Sequence, residues 1–227
     1  MSVKYLLPAL ALLALAACDQ KDEKASAAIL PVATEAPAGD YKLDKSHASL
    51  TFRVDHLGFS IYTARFTALD ATLKFDPKNP AASVFEGKVD PNSLDVPSPP
   101  AGFLDDLRGP QWLDTGKYPE ITFRSTKIEL TGPDTANVTG DFTLHGVTRP
   151  LTLAATFNGG YEGHPYDPNG RIGFSANGSL KRSDFGIAYG IPAPGTKMGV
   201  GDEIEIALEA EFTGPPLANA APVPAHP

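Results

Sequence analysis

Cysteine is almost absent from this chain: its 227 residues hold one, Cys18. A single thiol excludes an internal disulfide and any cysteine-built zinc site, so the fold must rest on its core alone. Positive charge is also scarce. Lys and Arg number 19 against 27 Asp and Glu, a formal charge of −8. An acidic surface argues against nucleic acid and against electrostatic docking on anionic headgroups. Beyond the first 17 residues no apolar run is long enough for a transmembrane helix. There is no Gly-x-Ser-x-Gly elbow, which argues against a hydrolase. Asp184-Phe185-Gly186 stands without a Gly-rich loop or catalytic loop and carries no kinase meaning.

The one cysteine sits where it matters. Lys4 supplies a positive start, Tyr5 to Ala14 an apolar stretch, and Leu15-Ala16-Ala17-Cys18 resembles a bacterial lipobox. Residues 1–17 therefore read as a lipoprotein signal peptide, too short to span a bilayer, and Cys18 as the lipidated first residue of the mature chain. Losing Lys4 takes the charge from −8 to −9. Residues 18–39 read as the lipidated cysteine and a flexible linker, and residues 214–227, rich in proline, as a disordered tail. Between them, residues 40–213 suit one domain with a sizeable core. This places the protein on the periplasmic side of a bacterial envelope. Asp19 after the cysteine resembles an inner-membrane retention signal.

The dominant period is two. Leu50, Phe52 and Val54 alternate with polar residues, as do Val138 to Leu144, Leu151 to Phe157, Ile172 to Leu180 and Ile204 to Phe212. Such alternation predicts half-buried antiparallel strands, about eight of them. Turns are expected at Asp76-Pro77-Lys78-Asn79-Pro80, Gly132-Pro133-Asp134, His145-Gly146 and Asn169-Gly170. Ile61–Phe75 is too long for an unbroken strand and predicts a bulge or bend. Phe103, Leu104 and Leu107 share a helical face and predict a short helix. Arg182 to Gly201, rich in Gly and Pro, predicts a long irregular excursion. Many consecutive strands need closure to remove their edges, and eight give a barrel that either fills with side chains or holds one small ligand. Small inward residues (Gly140, Ala155, Ala176, Gly178) either leave space or fit the taper.

Several stretches, in order, resemble the YceI-like polyisoprenoid-binding family. They are Tyr41-Lys42-Leu43-Asp44, Ser46 to Val54 with His56, Phe66 to Phe75 with Asp76-Pro77, and Leu104 to Arg108. Trp112-Leu113-Asp114, Lys117-Tyr118-Pro119, Ile121 to Thr126, Leu144 to Pro150 and Arg182 to Gly186 continue the series. The resemblance implies an all-β, extended, lipocalin-like eight-stranded antiparallel β-barrel with a short helix, often a homodimer. It also implies a non-enzymatic protein that binds, stores or transports a long-chain isoprenoid lipid, an isoprenoid quinone or a fatty-acid-like molecule. Such a molecule would be a ligand and not a cofactor. Two departures are the lipobox and the insertion Pro97-Ser98-Pro99-Pro100.

The candidate cavity residues are Phe52, Val54, His56, Phe59, Phe66, Phe103, Leu107, Trp112, Phe123, Phe142, Phe157, Phe174, Phe185 and Tyr189, with Leu107, Trp112, Phe185 and Tyr189 as a gate. Of the five histidines, His226 falls in the tail and His164 in a polar loop. The spacing of His47, His56 and His145 matches no metal motif, so no metal site is expected. Arg182 and Asp184 would share a face of an extended segment, in a salt bridge or turn contact. Two other readings stay open: an enzyme acting on such a lipid through His56, Arg182 or Asp184, and a structural lipoprotein whose barrel is filled.

Overall fold

The computed structural model describes residues 29–217. The expected signal peptide, Cys18, Asp19 and most of the Pro-rich tail lie outside the described residues. Ten strands build one antiparallel sheet: β1 (Gly39–His56), β2 (Ser60–Phe66), β3 (Leu69–Phe75), β4 (Val84–Val89), β5 (Leu94–Asp95), β6 (Ile121–Leu130), β7 (Thr135–Leu144), β8 (Val147–Tyr161), β9 (Asn169–Lys181) and β10 (Val200–Pro216). β10 pairs with β1, so the sheet closes. β1 runs beside β3 at its start and β2 at its end, and β4 and β5 succeed one another in the same way. Counting each succession as one staved strand gives the expected closed eight-stranded barrel. The long Ile61–Phe75 run is broken at Thr67-Ala68, which divides β2 from β3.

Alternation does what it predicts. Along β10, Glu203, Glu205, Glu209 and Glu211 are exposed, while Ile204, Ile206, Leu208, Ala210 and Phe212 face inward. The register places Phe52 opposite Ile206 and Leu50 opposite Leu208. Helix α1 (Phe103–Arg108) forms where expected. Leu104 and Leu107 pack on Ala64, Leu94 and Val96, whereas Phe103 stays exposed. His145-Gly146 makes a two-residue hairpin, both with positive φ (52° and 73°). Asn169-Gly170 is not a turn. It opens β9, and the turn lies before it, around the His164–Asp167 bridge.

The barrel has two unlike ends. The upper end carries the β1–β2 turn, α1, the His145 hairpin and the excursion before β10. The lower end carries the β3–β4, β6–β7 and β8–β9 turns and both ends of the described chain. Two boundaries shift there. Gly214–Pro216, read as tail, belongs to β10 and pairs with Asn169. The last part of the supposed flexible linker is docked. The Val32 amide donates to the Pro133 carbonyl (2.7 Å), the Thr34 hydroxyl to the Gly160 carbonyl (3.3 Å), and Ala36 is buried. Pro37 and Tyr41 come so close to Gly170 and Gly214 that a β-carbon at either glycine would collide with them, and one at Gly160 would stand 3.1 Å from Ala36. Burial pushes the Tyr41 hydroxyl up to about 12, and it donates to the Pro37 carbonyl at 2.8 Å.

Arg171 ties β9 to β1. It reaches Asp44 (2.7 Å) and Asp167 (2.5 Å), and Asp167 also accepts from the Tyr161 hydroxyl (2.6 Å). Hydrogen bonds from Ser46, Arg171 and His47 hold the Asp44 carboxyl well below the usual range, and the Tyr161 hydroxyl and Arg171 depress Asp167. A carboxylate with a depressed folded pKa contributes stability above its unfolded value, near 4, and loses it as pH falls through the folded value. Arg171→Leu should therefore lower the unfolding free energy by about 1–3 kcal/mol at neutral pH. The gap between variant and wild type should hold above about pH 5 and narrow below about pH 4 in urea titrations.

Candidate functional site

The barrel interior is not filled. A cavity of about 290 Å³ runs inside it, with walls that present apolar surface. Leu43, Leu50, Phe52, Phe66, Leu180, Ile204, Ile206 and Leu208 all point inward yet are only half-buried, because the space before them is open. At the upper end the cavity is framed by His56, Leu107, Trp112, Arg182 and Val200. His56 is exposed, so the cavity reaches the surface there. A second apolar cavity, of about 130 Å³, lies at the lower end against the docked segment Pro31–Thr34.

The small inward residues divide by role. A β-carbon on Gly140 would strike the Phe123 ring, and one on Gly178 would strike Leu153. Those two glycines make room for neighbours in the packed wall. Ala155 and Ala176, by contrast, line the lower cavity.

Arg182 organises the upper end. It is 4 % exposed, yet among the described residues no carboxylate bonds to it. Its guanidinium donates to four backbone carbonyls: Gly201 (2.8 Å), Ile187 (3.0 Å), Tyr189 (2.8 Å) and Val200 (2.8 Å). It also lies over the Trp112 ring at 5.1 Å. Burial lowers its pKa, and Asp202 partly offsets that. Four carbonyls and an indole thus replace the water this cation has lost. The expected contact with Asp184 does not form. Arg182–Phe185 is a 3₁₀ turn and not an extended segment, and Asp184 is exposed. Arg182 clamps the irregular excursion 186–199 and the start of β10 to the cavity rim.

Of the sequence candidates, Phe52, Val54, His56, Phe66, Leu107, Trp112, Phe123 and Phe142 line the main cavity, and Phe157 and Phe174 the lower one. Four lie elsewhere. Phe59 is 79 % exposed on the β1–β2 turn, and Phe103 is exposed on α1. Phe185 is buried behind the wall, edge-on to Phe142 at 5.4 Å. Tyr189 is half exposed, edge-on to Trp112 at 5.5 Å. The expected gate is thus Leu107 and Trp112, with Phe185 and Tyr189 supporting it from outside. The aliphatic lining (Leu43, Leu50, Leu151, Leu153, Leu180, Ile204, Ile206, Leu208) and Phe85 and Phe212 were not among the candidates. Their signal was the same period-two face, which a search for aromatics passes over.

The histidines do other work. His145 bonds the Phe185 carbonyl through Nδ1 (3.1 Å) and packs on Tyr118, with rings 4.4 Å apart. Asp44, His47 and Glu211 bring ligand-type atoms within 4.8 Å of one another. Arg171 stands in the same group, 2.7 Å from Asp44 and 3.9 Å from Glu211, and puts a positive charge where a metal ion would sit.

Removing the clamp should free the upper rim. Arg182→Met leaves four carbonyls without their donor and should cost about 2–4 kcal/mol in urea unfolding. Amide exchange at Ile187 and Val200, whose amides bond within the clamped segment, should rise well above that of the lower-end strands.

Known proteins share this architecture. The sequence profile of the YceI-like domain matches residues 41–212. A UPF0312 protein of Pseudomonas paraeruginosa is 39 % identical over 186 residues, covering 79 % of this chain and 89 % of that one. The crystal structure of Burkholderia cenocepacia BcnA superposes with a TM-score of 0.62 at 24 % identity, over 74 % of this chain and 98 % of that one. A domain from Saccharophagus degradans, described as polyisoprenoid-binding and implicated in plant cell wall breakdown, superposes with a TM-score of 0.58 at 14 % identity, over 77 % and 98 %. With its barrel, its open apolar interior and a profile match along nearly the whole domain, this chain belongs to the YceI-like family.

Proposed function

We propose that this protein is a non-enzymatic carrier or store for a long-chain isoprenoid lipid, isoprenoid quinone or fatty-acid-like molecule, held at the periplasmic face of the envelope by lipidated Cys18. The observation that carries the reading is the open apolar cavity of about 290 Å³ inside a closed barrel. It speaks against a filled, purely structural barrel. The polyisoprenoid-binding description of the Saccharophagus domain lends support to the ligand class. Arg182 is committed to four carbonyls and Asp184 does not line the cavity, so of the three side chains proposed for acid–base work only His56 is an exposed group on its lining. That supports binding over catalysis.

Energetics suit a carrier. Each buried CH₂ is stabilised by about 0.8 kcal/mol relative to water. Moving the same tail from bilayer to barrel is nearly neutral, because both interiors are apolar. The barrel therefore shields a tail outside the membrane without having to outcompete it. Because the chain is held from Val32 onward, the span from Asp19 to Pro31 reaches at most about 45 Å. Asp19 supports the inner membrane as the anchoring leaflet, and a homodimer is the proposed assembly.

Two experiments test this. The protein purified without detergent should carry a stoichiometric isoprenoid or long-chain lipid in mass spectrometry, and Ile206→Trp, with an indole in mid-cavity, should reduce it about tenfold at unchanged folding. A lipid-free wild type that also fails to take up added quinone would sink the carrier reading. Cys18→Ser should move the protein from the membrane to the soluble periplasmic fraction, and persistence in the membrane would rule out the acyl anchor.

A further inference from the structure

The two cavities are separated by one layer of side chains. Phe85, Leu153, Leu208, Ala210 and Phe212 line both. Within that layer Phe85 and Phe212 meet edge-on, with rings 6.3 Å apart. Phe212 is buried, but Phe85 is only half-buried. The next residue on the inward face of β4 is Gly87, and the Phe85 ring lies over it, so close that a β-carbon there would stand 3.2 Å from the ring. Phe85 also meets Phe123, with rings 5.9 Å apart, and is the half-buried ring of the partition that a passing tail must displace.

Both cavities lie along the barrel axis. From Val200 at the upper rim to Phe212 at the partition, β10 advances about 40 Å along its length, or about 30 Å along the axis at the usual strand tilt. The lower cavity extends the column to the Pro31–Thr34 segment, past the small side chains of Ala136 and Ala155, which face each other across β7 and β8. An eight-stranded barrel has width for one ligand, so the column suits one extended chain and not two side by side.

We infer that the lower cavity receives the far end of the ligand's chain, so that the protein selects single-chain lipids with tails too long for the main cavity. This rests on the carrier reading. The polar end stays at His56 and Trp112, and the tail passes Phe85 into the lower chamber.

Trp112 is the only tryptophan and lines the upper end, so quinone binding there quenches its emission. The probe is a ubiquinone series running from two to eight isoprene units, titrated into wild type, Ala155→Phe and the milder Ala136→Leu, both of which fill the lower chamber alone. The expected result is unchanged affinity for the shortest quinone and about tenfold weaker binding of the longest. Gly87→Ala, which crowds Phe85 without touching the chamber, should penalise the same long tails. Equal affinity of wild type and all three variants for the longest tail would overturn the chamber assignment and leave the carrier reading standing. Absence of quenching by every quinone in wild type would overturn both.

Discussion

The pairing of β1 with β10 is the constraint on which the rest of the structure depends. It joins the first and last strands of the domain along most of their lengths, from Lys42 opposite Thr213 to His56 opposite Val200. Closure removes both edges of the sheet, and with them the exposed rows of unpaired amides that invite aggregation. It also divides every strand's side chains into an outer face for solvent and an inner face shared by eight strands. Without a disulfide, that closure is held by backbone pairing, by the inward apolar face and by the Arg171 bridge between β9 and β1.

An inward face that is apolar but does not fill its volume is costly unless something occupies it, since side chains around a void lose dispersion contacts. The barrel tolerates this because packed clusters flank the open interior. One is the Tyr41, Phe75, Ile172 and Phe212 cluster near the lower end, and another is the Ile121, Leu144, Phe185 and Ile187 cluster near the upper rim. Between them the side chains line a column. The two ends are built by different means. The upper rim is drawn together by a buried cation solvated by four carbonyls. The lower end is covered by the segment before β1, seated in a groove made by glycines. A rim held by hydrogen bonds to one guanidinium can be loosened locally without unfolding the strands beneath it.

Much of this was legible in the residues. Period-two alternation at Ile204 to Phe212 named the inner face of β10, and Phe103-Leu104-Leu107 marked α1, because both depend on local geometry that repeats with a fixed period. The misreadings share a cause. Phe59, Phe103 and Tyr189 are aromatic, but residue type does not say whether a position faces a cavity or solvent at a turn. Asn169-Gly170 has turn chemistry, yet strand pairing with Pro216 overrides it. Arg182 was read against Asp184 because they are neighbours in sequence, whereas its partners are carbonyls up to 19 residues away.

By itself, then, the sequence determined the all-β class, the strand count, the inner and outer faces and the family resemblance, all of which are written in local pattern. Only the tertiary structure decided that the interior is open, that Gly140 and Gly178 serve packing while Ala155 and Ala176 face space, and that the segment before β1 closes the lower end. Whether a barrel is full depends on how side chains from eight strands meet across it, and those distances follow from closure and register, which no single stretch of residues encodes.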